Sequence, residues 1–192
     1  MIYNFCRSVL RFLYKLLFRL KASGLEHIPP EGGVLLCSNH ISVFDPPTIG
    51  ILLKRKVHFM AKKELFDIVG FGWLIKELGA FPVKRGGVSK ESIKTSLTLL
   101  RSGHVMGIFP EGTRSKGEDG SIGKKGAATF ALRSDAAVIP VAIIGNYKLF
   151  GKTRVVYGPP VDLTEFKESG GPNAAELATE KIMASIAELK NK

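Results

Sequence analysis

At 192 residues the chain is long enough to bury a core of its own, since chains near 150 residues already hide roughly 70% of their unfolded surface, and a two-domain arrangement is not expected. Hydrophobic residues at 45% and charged residues at 23% exclude a disordered chain. A net charge of +11 calls for a polyanionic partner, nucleic acid or anionic lipid, while Cys6 and Cys37 lack the paired spacing of a disulfide framework or a CxxC site and so fit a reducing cytoplasm.

The first 21 residues carry Arg7, Arg11, Lys15, Arg19 and Lys21 and no acid. The first four recur at every fourth position and would form one polar stripe on a helix, with Phe5, Val9, Phe12, Leu13, Leu16, Leu17 and Leu20 covering much of the remainder. No apolar run approaches the 18 or so residues that a bilayer span needs, and none has the uninterrupted core of a signal peptide. The pattern predicts an amphipathic membrane-interface helix over residues 1–23. Its aromatic and leucine side chains would lie among acyl chains and its cations beside lipid phosphates, each worth about 1 kcal/mol. The competing arrangement is a terminal helix docked on its own domain with a solvated basic face. A nucleic-acid helix would put its cations, rather than large apolar side chains, on the contact face.

From residue 24 to 192 short β-branched runs alternate with longer amphipathic stretches. This is the pattern of a single α/β domain with a mostly parallel or mixed central sheet flanked by helices. Strands are predicted at 34–37, 57–61, 80–83, 105–109, 138–144 and 154–157. A helix opens at Asp45, with Pro46 at its first helical position, and runs to about residue 53. Ser89 caps another that reaches Arg101 and is closed by Gly103. Two more are predicted over 125–133 and 174–189, and residues 115–125, rich in glycine and charge, read as a mobile loop.

The phosphate loop GxxxxGK[ST], GxGxxG, HExxH and GxSxG are all absent, which removes the nucleotide, zinc-protease and serine-hydrolase readings that rest on them. Of the four histidines only His40 is followed closely by a carboxylate on an ordered turn, in Asn39-His40-Ile41-Ser42-Val43-Phe44-Asp45. A five-residue separation brings the two side chains together only if the chain turns before the helix starts, with Asp45 at its N-cap. A carboxylate so placed fixes the imidazole tautomer and leaves the other nitrogen free to take a proton from a hydroxyl. The spacing by itself also fits Asp45 as a simple helix cap and His40 as an ordinary loop histidine.

Phe109-Pro110-Glu111-Gly112-Thr113-Arg114-Ser115 leaves a predicted strand sharply and displays Glu111 and Arg114 at its end, where open α/β sheets place ligands. Arg114 offers a fork suited to a phosphate monoester, although a turn closed by its own ion pair accounts for the same residues. Gly79-Ala80-Phe81-Pro82-Val83-Lys84-Arg85 is a second strand ending in cations, and Lys62, Lys63, Lys124 and Lys125 would widen a positive patch.

Taken in order, NHISVFD, GAFPVKR, FPEGTRS and VIPVAI resemble the four motif blocks of the glycerolipid acyltransferase family, the 1-acylglycerol-3-phosphate acyltransferases, over about residues 34–142. The resemblance implies an α/β domain at the membrane surface. It would move an acyl chain from a thioester, acyl-CoA or acyl carrier protein, to the free hydroxyl of lysophosphatidic acid. It makes His40 the base and Asp45 its orienting partner. Glu111, Gly112, Thr113 and Arg114 fall in the acceptor site, Arg85 joins Arg114 around the phosphate with Lys84 beside it, and Pro140 helps shape the acyl-chain or donor site. Pro82 and Lys84 depart from the family's common residues, and the Arg that follows them is kept. No metal or resident cofactor is implied, and because a thioester is already activated no covalent enzyme intermediate is needed and neither cysteine need be a nucleophile. The implied partners are lysophosphatidic acid, the acyl donor and an anionic membrane surface, with no nucleic acid, at the cytoplasmic face of a bacterial cell membrane. An acyltransferase for another lysophospholipid or for glycerol 3-phosphate, and a non-catalytic lipid-binding module, are the alternatives.

Overall fold

The computed structural model describes residues 2–83, 89–111 and 121–191, with the side chains of residues 121–126 left out. In chain order the elements are α1 (Ile2–Phe18), β1 (Lys21–Ser23), β2 (Val34–Ser38), α2 (Asp45–Gly50), β3 (Val57–Lys62), α3 (Phe71–Glu77), β4 (Ala80–Val83), α4 (Lys90–Arg101), β5 (Val105–Ile108), α5 (Ser121–Arg133), β6 (Ala137–Gly145), β7 (Thr153–Tyr157), α6 (Thr164–Ser169) and α7 (Ala174–Lys190). The strands form one sheet in the order β1-β7-β6-β2-β5-β3-β4. From β6 to β4 all neighbours are parallel; β7 runs antiparallel to β6, and β1 parallel to β7. The expected mixed α/β sheet is therefore the observed one.

Parallel neighbours need crossover connections, and the helices that make them cover both faces of the sheet. The alternation of β2 shows the result. Leu35 and Cys37 enter a core with Met106, Phe130 and Ile182, whereas Val34 and Leu36 enter a second core with Tyr14, Phe18 and Ile49. Every residue of β2 is buried, so it reads as a continuous apolar run rather than an alternating one.

The N-terminal segment belongs to this architecture more closely than its composition suggests. Helix α1 stops at Phe18, where Arg19 adopts a left-handed φ of 44° and turns the chain into β1. Residues 21–23 thus pair with β7 instead of extending the helix. Tyr14 and Phe18 are buried on the domain. Arg7 donates from Nη1 to the carbonyls of Leu53 (2.9 Å) and Lys54 (2.7 Å), and Arg11 donates from Nε (2.9 Å) and Nη2 (2.6 Å) to that of Ile51. Half of the regular cation stripe is therefore turned inward onto the carbonyls at the end of α2, correcting the expectation that all of it meets lipid. Lys15, Arg19 and Lys21 are exposed, and the outer side of α1 is apolar, with Phe5 70% and Phe12 67% exposed beside Val9, Leu13 and Leu16. No described helix is long and apolar enough to cross a membrane.

Other boundaries shift for local reasons. The helix expected to reach residue 53 ends at Gly50. α5 begins at Ser121, inside the stretch expected to be a loop, because the alanine-rich side that follows its glycines packs into the core through Ala127, Ala128 and Ala131. The rest of that loop, residues 115–120, lies outside the described residues.

Candidate active site

Because β2, β5, β3, β4 and β6 run parallel, their C-terminal ends share one edge of the sheet, and the segments that leave them converge there. The loop after β2 is fixed first. Buried Asn39 donates from Nδ2 to the Ile143 carbonyl (3.0 Å) and accepts from the Ile143 amide at Oδ1 (2.8 Å), which continues the β2–β6 ladder with a side chain. The chain then turns away from the sheet at His40.

His40 Nδ1 lies 2.7 Å from Asp45 Oδ2. The same oxygen accepts from the amides of Ile41 (2.6 Å) and Ser42 (2.7 Å), so the intervening residues wrap around the carboxylate. Asp45 is the first residue of α2; the N-cap is Phe44, not Asp45 as expected, and the carboxylate turns back into the loop rather than capping the helix. Oδ1 accepts from Tyr147 Oη at 2.6 Å. Tyr147 Oη also lies 2.9 Å from Thr48 Oγ1, which donates to the Phe44 carbonyl. Asp45 is fully buried, and the His40 side chain is 15% exposed.

The carboxyl is held charged despite its burial. Desolvation pushes its pKa up, but hydrogen bonds from His40, Tyr147 and the amides of Ser42 and Ile41 together hold it below the ordinary carboxylate range. Burial and the neighbouring Asp45 push the Tyr147 phenol far up, so it remains a donor. An ionised carboxylate only accepts, so a neutral imidazole must carry its proton on Nδ1 and present an unprotonated Nε2. His27 and His58, by contrast, use Nδ1 on the backbone carbonyls of Tyr157 and Gly79.

The His40 ring stacks on Phe109, which follows β5, with centroids 4.1 Å apart and planes 17° apart. Phe109 in turn lies parallel to Phe59 of β3 at 6.4 Å. Gly107 makes room for this row: a Cβ there would run into the Phe59 ring, so only glycine lets the ring lie across β5. Glu111, also after β5, accepts from the His40 backbone amide at Oε2 (3.4 Å) and ties the two loops together.

Phe59 also forms part of an apolar cavity of about 280 Å³ between α1, α2, β3 and α3, lined by residues including Leu10, Pro46, Ile51 and Ile75. Val43, Leu65 and Phe71 both line this cavity and are exposed, and so mark its mouth. Pro140 is not part of the lining. It is buried in β6 opposite Cys37, and its carbonyl accepts from Gly158 (2.8 Å) just past the end of β7.

Of the residues singled out in the sequence, the fold thus brings His40, Asp45 and Glu111 together. Lys84, Arg85, Gly112, Thr113 and Arg114 lie outside the described residues. Asn39 stands in the NHISVFD block with no sequence signal for its part in the ladder, and Tyr147 carries no sequence signal for its bond to Asp45. It lies 102 residues from Asp45 in a stretch with no local signature.

A family model described as Acyltransferase matches residues 19–144, and the chain belongs to that family. The 1-acyl-sn-glycerol-3-phosphate acyltransferase of Bacillus subtilis is 35% identical over 196 residues, covering 99% of this chain and 98% of that protein. The enzyme of the same name from Streptococcus pneumoniae is 30% identical, covering 88% and 66%. The crystal structure of the 1-acyl-sn-glycerophosphate acyltransferase from Thermotoga maritima superposes with a TM-score of 0.70 at 25% identity, covering 100% of this chain and 79% of that one.

Proposed function

We propose that this chain is a 1-acylglycerol-3-phosphate acyltransferase in which His40 is the general base. It transfers a fatty acyl group from a thioester to the free hydroxyl of lysophosphatidic acid, giving phosphatidic acid. The observation that carries the mechanism is the 2.7 Å contact between His40 Nδ1 and a buried, ionised Asp45, which leaves Nε2 available, while Val43 of the same loop lines an apolar cavity.

Nε2 takes the hydroxyl proton as the acceptor oxygen forms its bond to the thioester carbonyl carbon. Asp45 stabilises the imidazolium without taking the proton itself. The tetrahedral intermediate collapses with cleavage of the C–S bond, and the departing sulfur recovers the proton from His40. No covalent acyl-enzyme is needed, because the donor is already activated and positioning does much of the remainder. Cys37 is unsuited to be a nucleophile in any case, since burial pushes its thiol up to about 12.

The apolar cavity is suited to one acyl chain. Arg85 and Arg114, with Lys84, Glu111, Gly112 and Thr113, are proposed as the acceptor site from their motifs, the guanidiniums pairing with the phosphate. Either acyl-CoA or acyl carrier protein supplies the thioester, and no resident cofactor or metal is required. The acceptor and product are lipids, so the enzyme works at an anionic membrane surface, at the cytoplasmic face, with the apolar outer side of α1 among acyl chains.

His40→Ala tests this reading with lysophosphatidic acid in vesicles and each donor type. Transfer should fall by about 10²–10⁴-fold, while folding and vesicle sedimentation stay as in the wild type. Undiminished transfer in that variant would remove His40 as the base.

A further inference from the structure

The connection between β3 and α3 presents an apolar surface that no core covers. Val69 is 99% exposed and Trp73 58%, and Ile68 and Phe71 are exposed beside them. This is an ordered turn. Gly70 takes a left-handed φ of 75°, the Gly72 amide donates to the Ile68 carbonyl (2.8 Å), and the Leu74 amide donates to that of Gly70 (3.0 Å), so the tip at residues 68–69 is held outward. Large apolar side chains held in water by a defined turn mark an interaction site rather than a packing residue of the fold.

Its place identifies the partner. The turn follows β3, at the same sheet edge as His40, and its Leu65 and Phe71 form the mouth of the apolar cavity together with Val43. Across that cavity stands α1, through Tyr3 and Leu10, with its own exposed apolar side. Within the turn Lys62 and Lys63 are balanced by Glu64 and Asp67, so the complement to an anionic surface comes from the acid-free α1 and the chain's net charge of +11. Tryptophan suits the boundary between headgroups and acyl chains, where its apolar body and polar N–H both find partners.

We propose that residues 65–73 form a second membrane-inserting element. With α1 it straddles the cavity mouth, so that an acyl chain passes from the leaflet into the cavity without crossing water. The proposal rests on the reading of this chain as a membrane-surface enzyme, and its occupant is a lipid surface.

Trp73 is the one tryptophan in the sequence, so its fluorescence reports on this turn alone. Full-length protein is mixed with phosphatidylcholine vesicles with and without phosphatidylglycerol, and with vesicles whose lipids carry bromine on the acyl chains. Anionic vesicles should shift Trp73 emission to the blue, and the brominated lipids should quench it, in the wild type and in His40→Ala alike. Val69→Asp should weaken vesicle partitioning about tenfold or more. It should raise KM for vesicle-borne lysophosphatidic acid in parallel and leave kcat on a short-chain acceptor in free solution unchanged. Quenching in a wild-type protein that transfers no acyl group from either donor type would end the proposed reaction and leave the insertion standing. Sedimentation with vesicles while Trp73 emission stays as in buffer would leave α1 as the anchor and overturn the proposal. So would a blue shift that rises with protein concentration in the absence of lipid, which assigns the patch to a second copy of the chain.

Discussion

Tyr147→Phe removes one oxygen from the site and nothing from the packing around it, because the ring contacts with Phe18 (5.3 Å between centroids) and Phe44 (5.4 Å) survive. The lost hydroxyl is the donor to Asp45 Oδ1 at 2.6 Å, whereas Oδ2 keeps His40 and two backbone amides. A hydrogen bond to a charged group contributes about 1.5–3 kcal/mol. At 1.36 kcal/mol per decade, complete expression of that loss in the transition state, where the imidazolium leans on Asp45, lowers kcat by about ten- to a hundredfold. The acceptor's KM should hold, because Tyr147 serves the dyad rather than the substrate. The pH dependence separates this positioning role from a structural one. Asp45 has a folded pKa below its unfolded value, so it contributes stability that is present above the unfolded pKa and lost as pH falls through the folded one. Tyr147 is one of the groups that hold the pKa down, so its loss moves the folded pKa upward. The acid unfolding transition should then move to higher pH. Steady-state kinetics, with thermal melts across pH, measure the drop in kcat and that shift. A variant with wild-type kcat and a stability loss that is the same at every pH would refute the claim that Tyr147 acts through Asp45.

Asn39→Ala should cost about 2–3 kcal/mol in denaturant unfolding, since it strands the buried amide and carbonyl of Ile143; a loss under 0.5 kcal/mol would show that the side-chain ladder is dispensable. Gly107→Ala puts a methyl against the Phe59 ring and should cost about 1–3 kcal/mol in stability, with reduced transfer as the His40–Phe109–Phe59 row is displaced. A wild-type melting temperature would show that the row yields freely. Arg11→Ala removes two hydrogen bonds to the Ile51 carbonyl and should speed amide hydrogen exchange in α1 roughly tenfold while leaving the β2 amides protected. Equal exchange in wild type and variant would mean that Tyr14 and Phe18 dock the helix alone.

The centre of the sheet is legible because β2, β5 and β6 are buried on both faces and read as continuous apolar runs, and all six expected strands are present to within a residue at either end. β1 escaped detection because three residues on a basic segment carry no pattern of their own and become a strand only by pairing with β7, more than 130 positions away. α3 and α6 are one to two turns long; the first follows a left-handed glycine and the second ends at one. In the site, His40 and Asp45 were readable because both lie within one turn, and the parallel register of Val34 to Cys37 against Val105 to Ile108 then delivers Glu111 to the same place. Tyr147 was not, because the register that carries β6 alongside β2 is a tertiary fact with no local trace.

The cation stripe of α1 shows why periodicity alone misassigns a face. A four-residue spacing advances slightly more than one helical turn, so the stripe drifts around the axis and does not stay on one side. Arg7 and Arg11 fall on the side that carries Tyr3, Leu10 and Tyr14, where the carbonyls closing α2 accept their hydrogen bonds and the negative end of that short helix favours their charge. Lys15 has drifted clear of that face and is exposed. The apolar stripe of Phe5, Val9, Phe12 and Leu16 alternates steps of four and three, so it holds one side of the helix and is directed away from the domain. The two spacings together yield a helix anchored through its charges and exposed through its hydrocarbon, the reverse of a soluble terminal helix. That inversion leaves a water-facing apolar surface with no stabilising role in the monomer, and burying it against lipid is the step that gives it one.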